Sequence, residues 1–165
     1  MIVVDSNVLA ARNLTGVPTR LAEQVEERDP LWIVPPLWRY EFQNILAKAI
    51  WVRQITPEDA LAAWRKASTQ MVENEHEPSP ERVIELAGRY RITGYDANFM
   101  ALAMEMGVMC ITEDGELQKK FPAIAVSMKD FIRQGGVEGQ VCESREPYRA
   151  RKRRKTGNDL IAATG

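Results

Sequence analysis

Short apolar runs alternate along the chain with longer segments in which apolar residues recur every three or four positions. Runs that are almost wholly apolar are typical of strands buried on both faces of a parallel sheet. Such runs occupy residues 2–4, 31–34, 108–112 and 123–126. Segments with the 3.6-residue period of a helix begin near residues 18, 37, 57, 80 and 94, and shorter helical turns begin near residues 114 and 128. The pattern predicts an α/β fold with helices on both faces of a parallel sheet, and residues 6–14 as a short connecting segment.

Two prolines indicate where helices start. Thr56 can cap a helix whose first residue is Pro57, and Asp59 lies where its carboxylate meets the free N–H groups of the first turn. Ser79 and Pro80 repeat this signal. The two pairs therefore predict helix starts at residues 57 and 80.

The charge of the chain is divided unevenly. With 165 residues, the chain is long enough for one domain with a hydrophobic core. Residues 1–144 contain 15 basic and 21 acidic residues, whereas residues 145–155 contain seven basic residues and one acid. We therefore expect an acidic domain over residues 1–133 and a flexible basic tail over residues 134–165.

The cysteines and the apolar runs limit the class of protein. Cys110 lies in an apolar run and Cys142 in a polar stretch, so a disulfide framework is not expected. No apolar run reaches the roughly 18 residues of a membrane span, and the first residues lack the basic region of a signal peptide. We expect a cytoplasmic protein without membrane association.

Four acidic residues lie where one edge of the predicted sheet would bring them together. Asp5 ends the first strand, and Asp114 follows the third strand by two residues. Asp96 opens the helix near residue 94, and Glu41 lies in the first turns of the helix near residue 37. Because ligands of parallel sheets bind outside the carboxyl ends of the strands, these four acids are candidates for one site.

Clustered carboxylates repel one another, and a divalent cation makes such a cluster stable. Mg²⁺ and Mn²⁺ prefer oxygen ligands, and a cation held in this way can activate water and neutralise charge on a phosphodiester. Ser6, Asn7 and Thr112, at the same strand ends, can orient the carboxylates.

Three of the four acids also have a simpler structural interpretation. Asp96 could cap its helix, Asp114 before a glycine is a common turn residue, and Glu41 could be solvated on an amphipathic helix. Asp5 is different, because a carboxylate at the end of a buried strand needs a partner. The functional interpretation rests on all four meeting at one edge.

Four segments of the chain resemble the PIN-domain family of metal-dependent ribonucleases, and in particular the small VapC-type toxins. The segments "VVDSNVL", "YEFQNIL", "ITGYDANFMALAMEMG" and "CITEDGEL" occur in the family's order and spacing, and the resemblance covers roughly residues 1–133. The residues that carry it are Asp5, Ser6, Asn7, Glu41, Asp96, Thr112 and Asp114.

The resemblance implies a three-layer α/β/α sandwich with a mostly parallel central sheet. It also implies Mg²⁺- or Mn²⁺-dependent endonucleolytic cleavage of RNA by metal-activated water, a homodimer, and in many cases an antitoxin partner. By the same resemblance, Asp5, Glu41, Asp96 and Asp114 would be catalytic and bind the metal, with Ser6 or Thr112 assisting. The tail beyond about residue 135 departs from the compact toxins.

Other charged residues give weaker signals around the fourth acid and in the tail. Glu113 and Glu116 could substitute for Asp114, although the T-x-D register favours Asp114. Several basic residues could contact RNA phosphates, since each neutralised phosphate adds salt-dependent affinity. These residues are Lys119, Lys120, Arg151, Lys152, Arg153 and Arg154. The tail could instead be solvated, or fold back on the acidic domain.

Three further functions remain open from the sequence. The start "VVDSNVL" superficially resembles a haloacid-dehalogenase-like phosphatase, but Asn7 stands where that family has a second Asp. A phosphoaspartate receiver also ends a strand on Asp, with a different arrangement of paired acids. A PIN-fold module that binds RNA or protein without cutting is the alternative from another functional class.

Overall fold

Four parallel strands form one sheet in the computed structural model, which describes residues 1–14 and 17–134. The strands are β1 Ile2–Val4, β2 Trp32–Ile33, β3 Cys110–Ile111 and β4 Ala125–Val126. Their order across the sheet is β2-β1-β3-β4, and every neighbouring pair is parallel. The predicted parallel sheet is confirmed. Each strand except β1 is shorter than the apolar run that predicted it.

Within residues 1–14 and 17–134, eight helices connect and cover these strands. They are α1 Ser6–Asn13, α2 Val17–Arg28, α3 Trp38–Trp51, α4 Pro57–Met71, α5 Pro80–Tyr90, α6 Gly94–Met106, α7 Gly115–Lys120 and α8 Met128–Gln134. A short 3₁₀ turn at Val72–Asn74 follows α4. No helix within the described residues is long and apolar enough to cross a membrane.

The sheet has a hydrophobic core on each face. Successive side chains of a strand point to opposite faces, so Ile2 and Val4 pack with α1, α2, α3, α4 and α8. Val3, between them, packs with α5, α6 and α7 on the other face. The fold is therefore the three-layer α/β/α arrangement. All three residues of β1 are buried, which fixes the position of the strand and of Asp5 directly after it.

The two proline-marked helix starts are confirmed. Thr56 caps α4, where its hydroxyl accepts the N–H of Asp59 at 3.1 Å and the Asp59 carboxylate accepts the N–H of Thr56 at 3.2 Å. Ser79 caps α5 in the same position, accepting the N–H of Arg82 at 3.3 Å. Both helices begin at the expected proline, because proline fixes the helical φ angle and needs no N–H partner there.

Helix α1 replaces the connecting segment expected at residues 6–14. Its consecutive residues Val8, Leu9 and Ala10 are all buried, because the helix contacts α2, α3 and α4 in the same layer. A helix buried on several sides has no polar face and therefore no 3.6-residue pattern. Its N-cap residue, Asp5, makes no side-chain capping bond, so this start signal is missing as well.

The tryptophans divide between the core and the surface. Trp32 and Trp38 are buried, and Trp64 stacks on Trp38 with ring centroids 5.4 Å apart. Trp51, at the end of α3, is 73% exposed and does not pack in the core.

Candidate active site

Asp5 lies at the point where the connections of the sheet diverge. From the central pair β1 and β3, the neighbouring strands are β2 on one side and β4 on the other. Doubly wound sheets bind ligands in the crevice at such a point, outside the carboxyl ends of the strands. The N–H of Asp5 donates to the carbonyl of Ile111 at 2.9 Å, so hydrogen bonding to β3 continues up to the acid.

Two neighbouring side chains hold the carboxylate of Asp5. The hydroxyl of Thr112, which follows β3, donates to Oδ2 at 2.6 Å, and the amide of Asn7 donates to the same oxygen at 2.7 Å. Asn7 also accepts the N–H of Glu113 at 3.2 Å, which ties the loop after β3 to the start of α1. Thr112 and Asn7 therefore fix the orientation of Asp5.

Glu41 reaches the same edge from the first turn of α3. The hydroxyl of Ser6 donates to Glu41 Oε2 at 2.6 Å. Ser6 is 4% exposed and Thr112 is fully buried, and they are the only buried polar residues among residues 1–14 and 19–134. A buried hydroxyl needs a hydrogen-bond partner. Ser6 and Thr112 meet this need by donating to the predicted site acids Glu41 and Asp5.

Asp96 lies in the first turn of α6, three residues after its N-cap, Thr93. The hydroxyl of Thr93 accepts the N–H of Asp96 at 3.1 Å and donates to Asp96 Oδ2 at 2.7 Å. Thr93 is thus a supporting residue that the sequence analysis missed. The signal was available, since Thr56 and Asp59 have the same spacing and form the same pair of bonds.

Asp114 has a local role at the start of α7. Its Oδ1 accepts the N–H groups of Glu116 and Leu117 at 2.7 and 3.1 Å, which makes it the N-cap of this helix. Its own N–H donates to the hydroxyl of Thr112 at 3.0 Å, so it is linked to Asp5 through one side chain. The observed contacts of Asp114 therefore fit its interpretation as a local structural residue at a turn. A role for Asp114 as a fourth metal ligand stays a prediction.

The other charged residues near Asp114 also have local partners. Glu113 Oε1 accepts the N–H of Met128 at 2.8 Å at the start of α8, and Glu116 pairs with Lys120 at 2.5 Å. Lys120 also donates to the carbonyl of Arg91 at 3.1 Å, whereas Lys119 is exposed. The predicted RNA contacts at Arg151, Lys152, Arg153 and Arg154, and the tail from residue 135, lie outside the described residues.

Three of the four acids are coupled electrostatically. Burial raises the pKa of Asp5 above its ordinary value, and the charge of Asp96 raises it further, whereas hydrogen bonds from Thr112 and the nearby backbone lower it. Burial also raises the pKa of Glu41, as do the charges of Asp5 and Asp96, against the lowering effect of the Ser6 hydroxyl. Asp5, Glu41 and Asp96 therefore form one acidic cluster.

The donor chemistry of this acidic cluster suits a hard divalent cation. Within the part of the chain that the structure describes, none of the ion pairs involves Asp5, Glu41 or Asp96. Within the same part, no three acidic, histidine or cysteine side chains already stand in the arrangement of a metal site, so binding of a cation would have to draw the three carboxylates together. One oxygen of each carboxylate bonds to a neighbouring hydroxyl, and carboxylate oxygens of this kind are the preferred ligands of Mg²⁺ and Mn²⁺.

Comparison with known proteins agrees with the fold and the sequence motifs. The chain is similar to the crystal structure of PAE2754 from Pyrobaculum aerophilum, with a TM-score of 0.65 and 22% identity over 81% of this chain and 94% of that one. No curated protein matches the chain. The family model of the PIN domain matches residues 2–122, which include Asp5, Glu41, Asp96 and Asp114. The chain belongs to the PIN domain family.

Proposed function

We propose that the protein is an endoribonuclease that depends on Mg²⁺ or Mn²⁺. PIN domains are generally nucleases. The observation that carries the proposal is the acidic cluster of Asp5, Glu41 and Asp96 at the carboxyl edge of the sheet. Besides burial, the charge of Asp96 raises the pKa of Asp5, and the charges of Asp5 and Asp96 raise the pKa of Glu41. Partly buried like charges without a basic partner are costly unless a cation joins them.

Asp5, Glu41 and Asp96 would hold the cation, with Asp114 as the fourth candidate ligand. A divalent cation, when bound, lowers the pKa of water and neutralises the charge that develops on a phosphodiester. Without such neutralisation the three carboxylates repel the phosphates of RNA. The cluster thus accounts for a cation requirement without any histidine.

The hydroxyl groups and the amide of the site have a positioning role. Thr112 and Asn7 donate to Asp5 Oδ2, and Ser6 donates to Glu41 Oε2. One oxygen of each of these two carboxylates is therefore held in place by hydrogen bonds. Neighbouring groups that orient ligands in this way influence metal affinity strongly.

The proposal is tested by cleavage of a single-stranded RNA in Mg²⁺ or Mn²⁺. We expect cleavage by the wild type, loss of cleavage in EDTA, and at least a hundredfold loss in Asp5→Asn and Asp96→Asn. Asp59→Asn is the matched control, because Asp59 and Thr56 form the same bonds at the start of α4 as Asp96 and Thr93 at the start of α6. Equal activity of the Asp96→Asn and Asp59→Asn variants would contradict the proposal.

The biological role of a VapC-type toxin is part of the same proposal. The protein would act as a homodimer on cellular RNA, with a small antitoxin protein as partner. Basic residues such as Lys119 would contact the RNA. Expression of the wild type should then arrest growth, and the product of an adjacent small gene should relieve the arrest. Growth without arrest, by a protein that cleaves RNA in vitro, would indicate a nuclease outside the toxin group.

A second candidate is a PIN-fold module that binds RNA or protein without cutting it. The contacts of Asp114 favour this candidate, because its Oδ1 accepts two N–H groups of α7. RNA binding that is equal in Mg²⁺ and in EDTA, without cleavage, would support this function over the nuclease.

A further inference from the structure

Helix α7, which has only six residues, contacts the segments that support two of the site acids. Gln118 on this helix reaches the segment after β3 that holds Asp5, and Lys120 reaches the segment before α6 that presents Asp96. A helix this short is not stable through its own hydrogen bonds, so its tertiary contacts define its position. These contacts make α7 a physical link between two acids that lie on different elements.

The first link runs from Gln118 to Asp5. Gln118 Nε2 donates to the carbonyl of Thr112 at 2.7 Å, and the hydroxyl of Thr112 donates to Asp5 Oδ2 at 2.6 Å. The N–H of Asp114, the N-cap of α7, donates to the same hydroxyl at 3.0 Å. Thr112 is therefore held by α7 at both its carbonyl and its hydroxyl, and Thr112 in turn holds the acid.

The second link runs from Lys120 to Asp96. Lys120 Nζ donates to the carbonyl of Arg91 at 3.1 Å, and Arg91 ends α5 in the left-handed conformation with a φ of 51°. A non-glycine residue keeps this conformation only where its surroundings hold it there. Two residues later, the hydroxyl of Thr93 donates to Asp96 Oδ2 at 2.7 Å. The bond from Lys120 therefore fixes the start of the turn that presents Asp96.

Burial and packing fix the position of α7 itself. Leu117 within the helix and Phe121 directly after it are both buried. The ring of Phe121 packs on that of Tyr90, the last residue of α5, with centroids 4.4 Å apart. Lys120 also pairs with Glu116 one turn earlier at 2.5 Å, which orients its ammonium group. Helix α7 is thus attached to the end of α5 as well as to the segment after β3.

We propose that α7 is a clamp that sets the separation of Asp5 and Asp96, with Gln118 and Lys120 as its positioning residues. The proposal rests on the cation site of the proposed function. Because no three side chains of the described residues already stand in the arrangement of a metal site, the carboxylates must come together around a cation. Mg²⁺ demands nearly ideal octahedral geometry, and groups behind its ligands influence affinity. The clamp would therefore determine how readily Asp5 and Asp96 share one ion.

This proposal gives Lys120 a different role from its neighbour Lys119. Lys120 contacts the carbonyl of Arg91 and the carboxylate of Glu116, whereas Lys119 is exposed. Through charge alone, loss of either lysine would tighten the binding of a divalent cation, because a nearby positive charge repels it. Loss of a positioning contact should instead weaken the binding. The two effects have opposite signs and can be separated.

The test measures the Mn²⁺ affinity of full-length variants without RNA, from the electron paramagnetic resonance signal of the free ion. We expect Gln118→Met and Lys120→Met each to raise the Kd about 3- to 10-fold, below the roughly 10- to 100-fold range for groups that contact a metal ligand directly. Methionine keeps an unbranched side chain and removes the donor. Lys120→Arg should bind Mn²⁺ nearly as the wild type does, because its guanidinium keeps the charge and the donors.

Lys119→Met is the matched control, since it removes the same charge from the exposed position one residue earlier. It should leave the Kd unchanged or lower it. Equal Kd values of the wild type, Gln118→Met and Lys120→Met would overturn the clamp, as would equal effects of Lys119→Met and Lys120→Met. Urea unfolding in EDTA shows whether each variant is folded under the titration conditions. If Gln118→Met is not, the comparison of Lys120→Met with Lys120→Arg and Lys119→Met decides alone.

The clamp and the nuclease fail in different ways. Cleavage of RNA by a wild type whose Mn²⁺ affinity is independent of Gln118 and Lys120 would refute the clamp and leave the nuclease standing. Mn²⁺ binding that depends on both residues, without any cleavage of RNA, would refute the nuclease and leave the clamp. No Mn²⁺ binding by the wild type would contradict both, because each requires a cation at the acidic cluster.

Discussion

Replacing Thr112 by valine tests how the site holds its first acid. Valine has nearly the shape of threonine, and residue 112 is fully buried, so the change removes the hydroxyl with little effect on packing. Two short hydrogen bonds are lost, one to the carboxylate of Asp5 at 2.6 Å and one from the N–H of Asp114 at 3.0 Å, together with a long one from the amide of Asn7 at 3.5 Å. The perturbation therefore isolates the contacts of a single oxygen atom.

The expected cost follows from these two bonds. A hydrogen bond to a charged group contributes about 1.5–3 kcal/mol, and one between neutral groups about 1 kcal/mol. We therefore expect Thr112→Val to lower the free energy of unfolding by about 2.5–4 kcal/mol at neutral pH. The part due to Asp5 should disappear as the pH falls through the pKa of that residue, because the protonated carboxyl group no longer needs the donor.

Urea unfolding in EDTA measures this cost. Thr69→Val is the matched control, because Thr69 is exposed on α4 and bonds only the carbonyl of Arg65; it should change stability by about 0.5 kcal/mol or less. In combination with Asp5→Asn, the cost of Thr112→Val should shrink, since the charge it served is gone. A cost no larger than that of the control, or costs that simply add, would refute the role assigned to Thr112.

Three further results are expected. The raised pKa values of Asp5 and Glu41 mean that the folded protein binds more protons than the unfolded chain just above their ordinary values of 3.8 and 4.5. In EDTA, the contribution of these groups to stability should thus fall as the pH rises through their folded pKa values, and urea unfolding of Asp5→Asn across that range should show a smaller fall. Ser6→Ala should cost about 1.5–3 kcal/mol in the same assay, because it removes the donor to Glu41; a cost under about 0.5 kcal/mol would contradict this. Asp96→Asn should destabilise the metal-free protein less than Asp59→Asn, since only the first change relieves repulsion within the acidic cluster, and the reverse order in thermal unfolding would count against that cluster.

Much of the fold was predictable because its signals are local. The apolar run before Asp5 fills both faces of a buried strand, and the Thr56 and Ser79 caps need only their own helices. Helix α1 was missed because tertiary contacts bury Val8 and Leu9 together, which removes the polar face that a periodic pattern requires.

The acidic cluster was predictable in its members more than in its contacts. The positions of Asp5 and Glu41 follow from strand and helix order, and their coupling with Asp96 follows from the parallel sheet. The bond from Thr112 to Asp5 joins residues 107 positions apart, which no local pattern indicates. Likewise, the capping role of Asp114 and the metal-binding role proposed for it have the same sequence signal, an aspartate before a glycine.

The central claim is that Asp5, Glu41 and Asp96 hold a divalent cation, and Mn²⁺-dependent stabilisation tests it directly, independently of any RNA. A cation that binds only the folded protein raises the free energy of unfolding by about 2.7 kcal/mol at a free concentration roughly 100 times its dissociation constant. We predict that Mn²⁺ raises the melting temperature of the wild type and of Asp59→Asn in a concentration-dependent way, with little effect on Asp5→Asn. Equal stabilisation of Asp5→Asn, or none of the wild type, would contradict the account.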